Sequence, residues 1–90
     1  MSMIYIKKND FGAVTDYLKN DDGSVKEFDY DQKANELLIN QGYIYVHLID
    51  VEKPLFNELA NYYTYYEGQL HRPFNFDRKI IESILNKEEN

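Results

Sequence analysis

Between Tyr43 and Ile49 the residues alternate in character: Ile44, Val46 and Leu48 fall on one side of an extended strand, and Tyr43, Tyr45, His47 and Ile49 on the other. One side is aliphatic and the other amphipathic, the contrast expected of an antiparallel sheet with one dry face. Helices are expected against the aliphatic side, and water, a loop or a partner against the Tyr/His side. Upstream, Met3 to Lys7 reads as a short strand from its β-branched and aromatic content, closed by Asn9-Asp10. Either of those polar residues can cap a helix running to about Asn20, with Phe11, Val14 and Leu18 at helical spacing, Tyr17 beside them and Gly12 tolerated at a cost.

After a turn at Asp21 to Ser24, Lys26, Phe28 and Tyr30 alternate with Glu27, Asp29 and Asp31. This is strand periodicity with one aromatic and one acidic face. Gln32 to Asn35 reads as a reversal, Glu36 to Asn40 as the next strand, and Gln41-Gly42 as a tight turn into Tyr43. Residues 25–49 therefore predict a three-stranded meander. Pro54 opens a helix in which Leu55, Leu59, Tyr62 and Tyr66 form a stripe flanked by Phe56 and Tyr63, with Tyr65 outside it and Gly68 at its end. Past an irregular link to Pro73, Asn75 or Asp77 caps a last helix whose stripe is Phe76, Ile80 and Ile84 with Ile81 and Leu85 on the shoulder, and the chain frays from Lys87 to Asn90. The expectation is one α+β domain over residues 1–90, in the order β-α-β-β-β-α-α: an antiparallel meander with helices packed on one face. Where the N-terminal strand inserts stays open.

Composition narrows this picture. Ninety residues with a 43% hydrophobic share can build a core without disulfides, and the absence of cysteine excludes a disulfide framework and a thiolate metal site. A net charge of −6 argues against direct nucleic-acid binding, which draws its affinity from Lys and Arg displacing counterions, and favours a basic partner. The acid excess is concentrated: Asp10, Asp16, Asp21, Asp22, Glu27, Asp29 and Asp31 face only Lys19 and Lys26. No apolar run approaches the roughly 20 residues of a membrane span and no signal-peptide pattern opens the chain, so a cytoplasmic protein without a membrane partner is expected.

Catalytic chemistry finds little footing. His47 and His71 sit on separate elements without zinc-ligand spacing. Asp29/Asp31 and Asp50/Glu52 could each offer two carboxylates to a divalent cation, but such spacings are common in acidic proteins and solvated strand edges are much the better account of them. Asp31-Gln32-Lys33 echoes the acid-x-Lys end of a nuclease site within a charge environment that repels DNA. Ser2, Ser24 and Ser83 have no base partner in view, and no Gly-rich phosphate loop is present. No enzyme activity, no metal and no cofactor are expected.

The surface that draws attention combines two strands. With Phe28 and Tyr30 turned to the core, Glu27, Asp29 and Asp31 join Tyr43, Tyr45 and His47 on the outer sheet face. Acids on alternate strand residues repeat at about 6.6–6.8 Å. That is close to two phosphate steps of roughly 3.4 Å, so the ladder would imitate a nucleic-acid backbone before a basic, nucleic-acid-handling protein. A merely solvated face explains the pattern as well. Tyr65, outside its helix stripe, is a further contact candidate. The alternative is an interaction module, antitoxin-like or a virion accessory protein, that forms a homodimer through a strand edge or Tyr65. In its short length, the acidity of Asp10 to Asp31 and an expected meander followed by helices at Pro54 and Asp77, the chain resembles the small acidic inhibitors that phages carry against host defence nucleases, including anti-CRISPR proteins. The resemblance covers most of the chain as an element order, with an additional strand at Met3 to Lys7, and carries over no functional residue. It implies steric occupation of a basic DNA-binding channel in the host bacterial cytoplasm.

Overall fold

The N-terminal strand turns out to be the centre of the main sheet. In a computed structural model describing residues 2–73 and 77–87, β1 (Ser2–Lys8) lies between β2 (Val14–Tyr17) and β3 (Ile44–Leu48), antiparallel to both. Ile4 stands opposite Val46 and Ile6 opposite Ile44, so these side chains and Leu48 share the inner face. Onto that face pack Leu55 and Phe56 of helix α2 (Lys53–Leu59), Tyr63, and Ile84 of helix α3 (Arg78–Lys87). Helix α1 (Gln32–Asn40) buries no residue fully. The α+β class and the antiparallel pairing are those the sequence predicts, and β3 divides its faces as expected.

A second sheet pairs β4 (Thr64–Tyr66) with β5 (Gln69–His71). Its two turn residues, Glu67 and Gly68, both have positive φ (51° and 80°), the type I′ geometry whose twist matches a two-residue hairpin. The hairpin is tied to the main sheet where Ala13 bridges Thr64 and the Tyr65 N–H donates to the Gly12 carbonyl at 2.7 Å. β5 comes back alongside β3. Beside them the Phe56 ring meets those of Tyr17 and Tyr63 edge to face, each at 5.1 Å.

Three segments take a conformation other than the expected one. Residues 10–20 are not a helix: the Asn9 side chain accepts from the Phe11 and Ala13 N–H groups, closing a turn with Gly12 at φ +87° and sending the chain back as β2. A side chain at residue 12 would place its Cβ 2.5 Å from the Tyr65 carbonyl oxygen, so the glycine serves this crossing, and Phe11 is left 89% exposed. Nor do residues 25–49 form a meander. Residues 36–40 belong to α1, begun by Asp31 accepting from the Ala34 N–H at 2.9 Å. At its end Gly42 (φ +96°) closes a Schellman motif, with Gly42 N–H to Ile39 carbonyl and Tyr43 N–H to Leu38 carbonyl, both 2.9 Å. Residues 25–31 run extended beside β1 without a ladder, held by Lys26 N–H to Leu18 carbonyl and Phe28 N–H to Met3 carbonyl.

The third difference is the tyrosine run. α2 stops at Leu59, a 3₁₀ turn spans Ala60–Tyr62, and the chain enters β4. Tyr62 and Tyr66 are therefore exposed while Tyr63 is buried, because strand alternation, not a helical stripe, sorts Tyr63 to Tyr66. Asp77 starts α3 as expected, accepting from the Lys79 N–H at 2.8 Å. The expected roles of Asn75 and Phe76 and the fraying of residues 88–90 lie outside the described residues.

Candidate aromatic and acidic binding surface

On the outer face of the main sheet, Tyr5 of β1 stands opposite Tyr45 of β3, their rings 4.8 Å apart. Phe28 meets Tyr5 edge-on at 5.1 Å, and Tyr30 lies 5.9 Å from Tyr45. The strands present Tyr5 and Tyr45 because both alternate with core residues. The Phe28–Tyr30 segment is drawn over them by the Phe28–Met3 backbone bond and by the Tyr45 hydroxyl, which donates to the Phe28 carbonyl at 2.7 Å. The Tyr5 hydroxyl donates to Asn35 Oδ1 of α1 at 2.9 Å, leaving Tyr5 only 1% exposed. These hydroxyl bonds fix the rings in place. The result is an open cleft of ≈ 450 Å³ lined by Ser2, Met3, Glu27, Phe28, Asp29, Tyr30 and Tyr45.

The electrostatics follow from burial first. It raises the Tyr5 and Tyr45 pKa values above the usual phenol range, with nearby Tyr45, Tyr30 and Asp31 adding to the rise for Tyr5, and Asp29 and Tyr30 for Tyr45. Both phenols thus remain neutral donors at ordinary pH. Glu27 behaves in the opposite sense. The Lys53 ammonium at 2.5 Å, and then the Ser2 hydroxyl that donates to the same carboxylate, hold its pKa below the usual range.

The acid ladder read from the sequence does not form. Residues 27–31 are not a ladder strand, and their carboxylates have diverged in role: Glu27 is paired with Lys53, Asp31 caps α1, and Asp29 alone stands on the cleft rim without a bonded partner among the described residues. Phe28 and Tyr30 do not enter the core but join the outer-face cluster, which the sequence reading missed. Their alternation with acids is the available signal; the acids stay exposed as expected, and the aromatic side meets the outer sheet face in place of the core. Tyr43 lies on the same face but is engaged locally, with Lys7 over its ring at 4.7 Å and its hydroxyl donating to Asp16 Oδ2 at 3.2 Å. His47 is exposed and lines a separate groove of ≈ 390 Å³ between β3 and β5 with Glu52, Tyr63 and Leu70. Tyr65 does not stand outside the packing, as a helical stripe would have it: it packs, partly buried, against the core. The structure thus gathers Glu27, Asp29 and Tyr45 with Tyr30 along the cleft, and leaves Asp31 at the α1 cap and Tyr43, His47 and Tyr65 elsewhere.

The Asp50/Glu52 pair is also divided. Asp50 lies 2.6 Å from the Ser2 hydroxyl, whose one proton it shares with Glu27, and faces Lys53, while Glu52 receives Arg72 at 3.0 Å and the buried Tyr63 hydroxyl at 2.9 Å. Among the described residues no three His, Asp or Glu side chains are grouped to hold a metal ion, and no helix is long and apolar enough to cross a membrane. Compared with known proteins, the chain matches no family model, no curated protein and no solved structure.

Proposed function

We propose that the chain is a non-catalytic binding protein that offers the outer sheet face to a basic partner, a nucleic-acid-handling protein, and acts as an inhibitor of the anti-CRISPR-like, anti-defence kind. The observation that carries the reading is the meeting of Asp29 with Tyr30 and Tyr45 around an open cleft, on a face roofed by one segment. Carboxylates at a rim steer a basic surface inward, and aromatic rings behind them supply contact area once water is expelled. With no phosphate-spaced ladder, the reading rests on local field and aromatic anchoring in place of mimicry of a backbone repeat.

Charge reversal at exposed Asp29 tests it. Association of wild type and Asp29→Lys with a panel of basic nucleases, followed across ionic strength, should show slower association and a flatter salt dependence for the variant. Binding indifferent to both salt and substitution removes the reading. Self-association is the second reading, favoured by the β3 edge that has no ladder partner beyond β1 among the described residues and is flanked by β5 without a ladder. Light scattering that reports a monomer at every concentration removes that one.

A further inference from the structure

We infer that the Tyr30–Tyr45 end of the cleft seats one guanidinium group, an arginine side chain of the basic partner, lying on the tyrosine rings with its N–H fork on Asp29. The inference rests on the proposed function and names the group that the site selects.

Its ground is how the chain deploys its own cations. Lys7 lies over the Tyr43 ring at 4.7 Å, Lys19 over Tyr17 at 4.9 Å and Lys26 over Phe28 at 5.2 Å. At the far end of the cleft Lys53 neutralises Glu27. Aromatic rings beside acids are thus repeatedly matched with a lysine, as the ring quadrupole and the neighbouring carboxylate both favour. The Tyr30/Tyr45 pair with Asp29 repeats that chemistry, and among the described residues no lysine or arginine of the chain lies over either ring.

The shape selects the cation further. Tyr30 and Tyr45 are inclined at 55° with centroids 5.9 Å apart, so the two rings form an angled wall rather than a closed stack. Tyr45 is fixed by its bond to the Phe28 carbonyl, while Tyr30 is 62% exposed and open to contact. A planar guanidinium can lie on such a ring and still direct two parallel N–H groups at a carboxylate, which a tetrahedral ammonium cannot. The cleft, ≈ 450 Å³ and open to solvent, admits the group together with its apolar stem.

Titration of the full, isotope-labelled chain with arginine amide, lysine amide and the uncharged isostere citrulline amide, read by backbone amide shifts, tests the inference. Shifts from arginine amide should concentrate at Met3, Phe28, Asp29, Tyr30 and Tyr45, and Tyr30→Ala and Asp29→Asn should each weaken binding by about threefold or more. Both residues are exposed, and an otherwise unchanged spectrum establishes that each variant is folded. Shifts spread over Asp10, Asp21 and Asp22 to the same degree, or equal binding of lysine amide or citrulline amide, overturn it. So does full retention of binding in Tyr30→Ala. If the guanidinium localises as stated but no basic protein binds the wild type, the proposed function fails and the seat stands. If basic proteins bind through Asp29 while arginine amide shows no localised shifts, the function stands and the seat falls.

Discussion

The two faces of the main sheet are made from the same strands, one residue out of step, and they are finished by different physics. The inner face sets Ile4, Ile6, Val46 and Leu48 against Leu55, Phe56 and Tyr63, and its stability is apolar area removed from water. The outer face sets Tyr5 and Tyr45 beneath one extended segment, with each phenol hydroxyl assigned to a named acceptor. Phenols are large enough to pack and polar enough to stay at a rim, so they can build a surface that is both ordered and wettable. The difference teaches that order on the outer face comes from hydrogen-bonded rings, with Tyr5 buried beneath and Tyr30 and Asp29 left accessible.

The largest expected effect belongs to the inner face. Phe56→Ala removes a ring with 0% exposure that touches both Tyr17 and Tyr63, and should cost about 3–5 kcal/mol of unfolding free energy in a denaturant titration. Tyr45→Phe keeps the ring and deletes the donor to the Phe28 carbonyl, so about 0.5–1.5 kcal/mol is expected, together with faster amide exchange at Phe28. A loss as large as that of Phe56→Ala would collapse the distinction between the faces.

The smallest effect sharpens the comparison at the cleft's own ion pair. Because Lys53 lowers the folded Glu27 pKa below its ordinary 4.5, the pair's contribution is complete above that unfolded value and is lost as the pH falls through the lowered one. Lys53→Met should therefore flatten the acid limb of the stability–pH curve, remove the loss that wild type suffers above the ordinary lysine value of 10.5 because Glu27 raises the Lys53 pKa, and leave the neutral region nearly parallel to wild type. A variant curve displaced equally at every pH would assign Lys53 a packing role instead.

Much of the organisation was legible in local signals. The Tyr43–Ile49 alternation placed Val46 and Leu48 inside and Tyr45 outside, and Asp77 was a sufficient mark for the start of α3. Asp31, followed by Ala34, Glu36 and Leu37 and closed by Gly42, carried a helix signature as well. It was read as strand because Leu37-Leu38-Ile39 is a short apolar run, which periodicity alone does not assign. At the candidate site, Glu27, Asp29 and Tyr45 were named from the sequence. Phe28 and Tyr30 were not, since nothing local says which side of an extended segment meets the sheet.

By itself the sequence determined the α+β class, the division of β3 into a dry and a phenolic face, and the concentration of acid before residue 32. Only tertiary structure decided that residues 14–17 and 64–66 are strands, that the acids part into an ion pair, a helix cap and a free rim carboxylate, and that Tyr30 comes to lie beside Tyr45. The reason is one of scale. Local preferences over a few residues amount to tenths of a kcal/mol each, and a contact such as Gly12 against the Tyr65 carbonyl joins segments far apart in the chain, so its geometry exists only once both have been brought together.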